Sequence, residues 1–372
     1  MAKKDWMTKL LAADGAVQDE TNPHANVLNT SSPSANATFG NGWGLPRGYC
    51  TVIFGPPKEG KSLLCSDFIS QVHATNKNDF VVKYNTEMRE RIQVTAEFKK
   101  QWGIDPRRYV AYETNTAAGV FDHIEQEIAA MCDDGFPLAA ILIDSVNGIV
   151  GRRRAVATSI DKTVIGDQAQ TIQDGMKQIL PVIRKHNIAL IVTTQVRSEM
   201  DKIEGMRKVT QSRGQVVKMA ASWGLKHTAE YFMYSEKNRN KDSRVDLLGE
   251  PFGTYSDGTS PFKIRVKMVD SSAGPIGRKG QFTVDIHRGV INVEEEVFVM
   301  STDKGVIEVA GSSYSFGGQK WTGKAGMLKA LREDKGIRDE VVKALRMLDM
   351  EGKFSAAVVE DEEAVEDETI VE

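Results

Sequence analysis

Cysteine is scarce in this chain: three in 372 residues, and Cys50, Cys65 and Cys132 stand at no paired or metal-ligand spacing. That excludes a disulfide framework and points to a reducing cytoplasm, with the three as small buried apolar residues. The six histidines also fall at no metal-like interval, and spacing alone builds no Ser-His-Asp or Cys-His arrangement. No run approaches the roughly 18 to 20 apolar residues that a membrane span requires, and the opening Met-Ala-Lys-Lys-Asp-Trp lacks the apolar stretch of a signal peptide. Basic residues are missing after Lys353, where Glu360, Asp361, Glu362, Glu363, Glu366, Asp367, Glu368 and Glu372 follow. Taking these eight charges from a net charge of −3 leaves a body of +5. A mildly basic body with an acidic tail permits nucleic-acid binding, the tail acting as a competing polyanion; a tail that only aids solubility fits the same residues.

What is present is ordinary globular material, 41% hydrophobic and 27% charged, on a chain longer than one core usually supports. Trp6, Leu10 and Ala13 suggest a short amphipathic helix, and the polar stretch from Gln18 to Ala37 reads as a linker or packing arm. From Gly48 onward, short β-branched runs (Cys50–Phe54, Phe80–Tyr84, Ala139–Ile143, Ile188–Thr193) alternate with stretches of helical spacing (Ser62–Ala74, Ala118–Met131, Ile172–Lys185). Such alternation predicts an α/β fold, a mostly parallel twisted sheet flanked by helices. Phe262–Val269 and Gln281–Ile286 predict an antiparallel extension, and Lys324–Glu333 with Arg338–Asp349 predict helices of a small C-terminal domain.

The strongest motif is Gly55-Pro56-Pro57-Lys58-Glu59-Gly60-Lys61-Ser62, leading into Leu63, which fits the phosphate loop G-x-x-x-x-G-K-[ST] between a strand and a helix. Its backbone N–H groups would cradle phosphates, Lys61 would reach the β- and γ-phosphates, and Ser62 would bind Mg²⁺. Three more polar residues follow apolar strands, at the edge where open parallel sheets bind ligands: Glu87, Asp144 and Gln195. Asp144 takes the role of ordering the Mg²⁺ shell, Glu87 that of orienting and deprotonating water, and Gln195 that of sensing the γ-phosphate. Alone, Glu87 would read as a surface glutamate of the charged run that ends at Arg91.

Two long segments without clear periodicity leave the Asp144 and Gln195 strands. The first, 151–166, carries Arg152, Arg153, Arg154 and Lys162; the second, 198–223, carries Lys202, Arg207, Lys208, Arg213 and Lys218, and Arg197 immediately precedes it. Their cations suit phosphate neutralisation, and Met200, Ile203, Met206 and Val209 suit packing against bases. Basic residues on polar loops are equally often just solvated.

Taken together these residues resemble the bacterial RecA family. The stretch from Val27 to Gly40 and then Gly44 to Gly48 is similar to the family's entry to its core. Lys83–Glu87 resembles the strand ending in the catalytic glutamate, and Ile141–Ser145 the Walker B strand. Ile165–Asp167 resembles the end of the first DNA loop, Thr194–Arg197 the start of the second and Gly224–Lys226 its close, and Gly311–Lys320 with Gly323–Ala325 the C-terminal domain. The resemblance implies an ATP- and Mg²⁺-dependent recombinase that assembles as a helical filament on single-stranded DNA, exchanges strands with a homologous duplex, and meets single-strand-binding and loader or mediator proteins, with no membrane role. It implies residues 1–38 as a helix and arm for subunit packing, 39–292 as a RecA-like ATPase core, 293–353 as a small α/β domain, and 354–372 as an acidic disordered tail. Where the family carries a lysine pair that acts across to a neighbour's γ-phosphate, this chain has Asp270 and Ser272, leaving Lys267, Arg278 and Lys279 as replacements. Asn115 is the candidate for the adenine, and the arginine-rich first loop favours a divergent phage member of the UvsX kind. A hexameric helicase on the same core, or an accessory ATPase, are the competing readings.

Overall fold

A computed structural model gives the fold and describes residues 27–40, 42–88, 92–155, 166–198, 211–212, 215–219 and 223–354. The chain enters through β1 (Val27–Leu28), antiparallel to β2 (Leu45–Pro46). It then lays down β3 (Cys50–Gly55), β4 (Phe80–Asn85), β5 (Tyr109–Glu113), β6 (Leu138–Asp144) and β7 (Ala189–Ser198). Two short strands, β8 (Gln211–Ser212) and β9 (Gln215–Met219), precede β10 (Tyr231–Lys237), β11 (Phe262–Ser271), β12 (Lys279–Asp285) and β13 (Gly289–Ile291). The main sheet has the order β13-β12-β11-β10-β3-β7-β6-β4-β5. From β10 to β5 the pairings are parallel, and β11, β12 and β13 continue it antiparallel, as the alternation predicts.

Side chains alternate across β3, so Cys50, Val52 and Phe54 join one apolar cluster while Ile53 joins the other. Both faces are therefore buried, which is why parallel strands read as continuous β-branched runs. Helix Lys61–Thr75 covers one face through Leu64, Phe68 and Val72. Helix Asp167–Lys185 covers the other through Ile172, Met176 and Ile179, with Phe121 and Ile124 from the helical stretch beginning at Ala118. Helices therefore flank a mostly parallel sheet, the architecture that alternation implied.

Beyond β13 lie helix Val293–Asp303, a three-stranded sheet of β14 (Glu308–Ala310), β15 (Ser313–Phe316) and β16 (Gln319–Thr322), and helices Gly323–Glu333 and Lys335–Met350. A third apolar cluster gathers Val297, Phe298, Met327, Leu331, Val341 and Leu345, and takes Trp43 from the entry segment.

The polar entry segment differs from a linker that buries little. Residues 32–40 are buried against the same chain, and helix Pro33–Ala37 starts with the Ser32 hydroxyl accepting the Ala35 N–H. Asp67 accepts the Ser31 N–H and hydroxyl at 2.7 Å each, and the Glu296 carboxylate accepts the Ser32 hydroxyl at 2.5 Å and the Ser34 N–H at 3.1 Å. Serines and asparagines can be buried when their polar groups are matched, and here Asn36 is matched within the segment and the serines largely by distant Asp67, Gln281 and Glu296. The expected helix around Trp6 and the acidic tail lie outside the described residues. Among the described residues no helix is long and apolar enough to cross a membrane.

Candidate functional site

The loop from β3 into helix Lys61–Thr75 demands glycine at two places. A Cβ on Gly55 would stand 2.0 Å from the Ser235 carbonyl oxygen, and Gly60 adopts a φ of 93° with its would-be Cβ 2.4 Å from Ile264 Cδ1. That tight path delivers Lys61 as the first helical residue, so the unpaired N–H groups and positive dipole end of the helix face the loop, a setting built for phosphate. The Lys61 ammonium donates to the carbonyls of Gly55 at 2.9 Å and Pro56 at 2.7 Å. Burial pulls it below the ordinary lysine range, opposed by Asp144, Cys65, Glu59 and Glu87. Glu59 is turned inward: its carboxylate accepts the Lys237 N–H at 2.9 Å and pairs with the Arg239 guanidinium. Its side chain thus anchors the loop to the end of β10.

Asp144 closes β6 beside the loop. Its Oδ1 accepts the Thr193 hydroxyl at 2.6 Å, and its Oδ2 lies 3.3 Å from both Ser62 Oγ and Lys83 Nζ. Ser62 is exposed and Asp144 half-buried, so two hard oxygen donors meet near solvent. Among the described residues no three of His, Cys, Asp and Glu gather to cage a metal. The pair fits Mg²⁺, which favours few protein oxygens, retained water and substrate phosphate.

Glu87, just past β4, accepts the Ser145 hydroxyl at 2.8 Å and the Gln195 amide at 3.3 Å on one carboxylate oxygen. Asn147 Oδ1 accepts the Gln195 backbone N–H at 3.1 Å and the Thr194 hydroxyl at 2.8 Å. In register, Gly55 pairs with Gln195 and Asn85 with Asp144. Lys61, Glu87, Asp144 and Gln195 therefore gather at the carboxyl ends of four neighbouring parallel strands. Thr193, Ser145 and Asn147 were not singled out from sequence, although each stands within three residues of Asp144 or Gln195.

The basic segments are placed unevenly. Gly151 leads into the short helix Arg152–Ala155, whose start is held by side chains downstream. Asp167 accepts the N–H groups of Arg153 at 3.3 Å and Arg154 at 2.9 Å, and Thr171 accepts that of Arg152 at 3.0 Å. The Arg152 guanidinium donates to Asp122 at 3.2 Å and Gln178 at 3.3 Å on the surface, and Arg152 and Arg153 are both exposed. Lys162 lies outside the described residues.

The second segment is not wholly aperiodic. β7 runs past Gln195 to Ser198 and pairs antiparallel with β9, Val196 opposite Met219 and Arg197 opposite Lys218. β9 in turn pairs with β8. Residues 215–219, Gln-Val-Val-Lys-Met, neither alternate apolar with polar nor form a continuous apolar run, so they do not advertise a strand. Met200, Lys202, Ile203, Met206, Arg207, Lys208, Val209 and Arg213 lie outside the described residues, as do the side chains of Arg197 and Lys218.

Asp270 and Ser272 lie at the opposite edge of the sheet, at the start of β10, Asp270 opposite Phe232 and the Ser272 N–H donating to the Glu230 carbonyl at 3.0 Å. Arg278 is no spare cation: it grips Asp349 at 2.6 and 2.7 Å and the Ala37 carbonyl at 3.0 Å. Lys267 and Lys279 face each other across β11 and β12. Asn115 accepts the Val150 N–H through its backbone carbonyl at 2.8 Å, beside the start of the first basic segment.

The family model described as the RecA N-terminal domain matches residues 13–248, more than half of the chain. Protein RecA of Thermus aquaticus is 25% identical over 338 residues, covering 91% of this chain and 89% of the relative. Protein RecA of Frankia casuarinae is 23% identical over 329 residues, covering 88% and 85% respectively. With a phosphate loop, an acidic strand end and a glutamine-bearing strand converging on one sheet edge, and with that match across its core, the chain belongs to the RecA family.

Proposed function

We propose that this chain is a DNA-dependent ATPase and recombinase that forms a helical filament on single-stranded DNA and pairs it with a homologous duplex. The observation that carries this reading is the Gln195–Glu87 hydrogen bond, because Gln195 sits on the strand that continues into the β7–β9 pairing. A residue that feels the triphosphate and touches the candidate base is thereby part of the root of the second basic segment.

The chemistry follows from the side chains. Lys61 and the N–H groups at its helix end bind the triphosphate, and Ser62 and Asp144 hold Mg²⁺. When bound, Mg²⁺ neutralises charge on the phosphate oxygens and orients them. Thr193 fixes one oxygen of Asp144, so the carboxylate keeps a single orientation. Glu87 accepts the proton of the attacking water, its carboxylate held in place by the Ser145 hydroxyl. Gln195 trades its bond to Glu87 for one to the γ-phosphate, and that exchange passes along β7 to the DNA-facing segments. Arg152, Arg153, Arg154, Lys162, Arg197, Lys202, Arg207, Lys208, Arg213 and Lys218 supply phosphate contacts, with Met200, Ile203 and Met206 against bases. Single-strand-binding and loader proteins are the partners such a filament meets. The run Arg152 to Arg154, with Asp270 and Ser272 where the family's lysine pair is expected, supports placing the chain with phage recombinases of the UvsX kind.

ATP turnover measured with and without single-stranded DNA tests the reading: stimulation is expected, and its absence would favour an accessory ATPase. Electron microscopy with a slowly hydrolysed ATP analogue separates the polymers, since open helical filaments are expected and closed rings would indicate a helicase. Lys61→Ala should abolish turnover with the fold intact, and normal hydrolysis would mean that the pocket is misassigned.

A further inference from the structure

Lys83 lies within β4, between β5 and β6, and is 6% exposed. A lysine in a central strand is costly to bury as a cation unless an anion meets it. Its Nζ lies 3.3 Å from Asp144 Oδ2, the oxygen that Ser62 Oγ also approaches at 3.3 Å, while Thr193 occupies Oδ1. Lys61 is close enough to Asp144 to feel its charge. One ammonium group, rising from inside the sheet, therefore sits against the carboxylate assigned to the divalent ion, with the Lys61 charge within electrostatic reach of it.

We propose that Lys83 is a positioning residue that acts as a resident counter-ion for Asp144, opposing the divalent ion and so setting the Mg²⁺ concentration at which nucleotide binding switches on. The inference rests on Ser62 and Asp144 being the Mg²⁺ pair. Its physical basis is simple: a divalent ion drawn to Asp144 Oδ2 meets a fixed positive charge in a poorly screened environment, and like charges there repel more than in water. The same lysine holds Asp144 aimed at Ser62. Mg²⁺ thus inherits a shaped site but binds it against a standing charge.

The test titrates free Mg²⁺ against binding of a fluorescent ATP analogue by the full chain, read as anisotropy, with melting temperature in EDTA recorded alongside. Lys83→Met should move the Mg²⁺ midpoint about tenfold or more to lower concentration, because the opposing charge is gone. Lys83→Gln, shorter and polar, should do the same and serves should the methionine variant fail to fold. Lys83→Arg, which keeps the charge, should stay near the unaltered midpoint. An unchanged or raised midpoint in the neutral variants would overturn the proposal, even with a lower melting temperature, because a purely structural lysine gives that pattern. So would a shift in Lys83→Arg as large as in Lys83→Met. If the unaltered chain shows no Mg²⁺-dependent nucleotide binding, the pocket reading falls and takes this inference with it, a result distinct from an unmoved midpoint.

Discussion

At Glu296 the molecule buries a carboxylate that meets hydroxyl and amide donors from Ser32 and Ser34, and its Oε1 has no hydrogen-bond partner among the described residues. Burial pushes its pKa up to about 8, against the pull of those donors, and burial likewise raises nearby Asp67 to about 6. Both carboxyls sit above their unfolded values, so the folded state binds protons more tightly than the unfolded chain. The stability they contribute is complete below about pH 4 and declines as pH rises through 6 and then 8, at most about 1.4 kcal/mol per group per pH unit. Thermal melting between pH 6 and 8.5 should therefore fall with pH, and Glu296→Gln, which cannot ionise, should flatten that slope and stabilise the protein at pH 8.5. An identical slope in the variant would show that Glu296 does not titrate in this range. At the proposed catalytic edge, Glu87→Gln keeps an acceptor for Ser145 but removes the proposed base. Turnover should drop by about two to four orders of magnitude with nucleotide affinity preserved, and equal turnover would remove Glu87 from the mechanism. Glu87, Asp144 and Gln195 were readable from sequence because strand ends announce themselves by a polar residue after an apolar run, and Lys61 because it stands in the phosphate-loop motif. Lys83 was not, because within a strand a buried lysine looks like an outward-facing one, and only the neighbouring strand reveals its partner.

Among the elements, the entry segment and the last helix are joined by one buried ion pair. Asp349, 1% exposed, accepts two hydrogen bonds from Arg278 of the β11–β12 turn and one from the Trp43 indole at 2.8 Å, while Arg278 also reaches the Ala37 carbonyl. Three stretches far apart in sequence meet there, so the C-terminal cluster is tied to the sheet through a charge pair as well as apolar packing. Asp349→Ala would strand the Arg278 guanidinium, of which 13% is exposed, without its anion. Removing one partner of a buried pair typically costs about 3 to 5 kcal/mol, and chemical denaturation should show a loss of that order. A loss under about 1 kcal/mol would mean that the aromatic contacts of Trp43 and Phe354 hold the junction without it. None of this was legible from periodicity. The main strands and long helices were, since their apolar repeats extend over enough residues to show a period. The strands β14, β15 and β16, three or four residues each and half-exposed or exposed, carry no such repeat, so periodicity does not locate them, although the resemblance implied an α/β domain there. Residues 32–40 misled for another reason: hydropathy counts their serines and asparagines as exposed, whereas hydrogen bonds to Glu296, Gln281, Thr30 and one another let them enter the core.

For the whole molecule the governing quantity is how charge is divided along the chain. Residues 355–372 carry all eight negative charges of the tail and leave a body of +5, so a net charge of −3 conceals a cationic protein joined to its own polyanion. DNA and tail carry the same kind of charge, and on the competing-polyanion reading the tail has to be displaced from the lysines and arginines as counter-ions are. Truncation after Phe354 should therefore raise affinity for single-stranded DNA, by about tenfold near 0.1 M salt. The gain should shrink as salt is increased, because the screening length falls from about 10 Å at 0.1 M to about 3 Å at 1 M. Fluorescence anisotropy of a labelled oligonucleotide across that range, on full-length and truncated protein, measures both effects at once. A constant gain at every salt concentration would point to steric blocking instead of charge competition, and no gain at any would leave the tail with solubility as its role and return the DNA-binding reading to the loops alone.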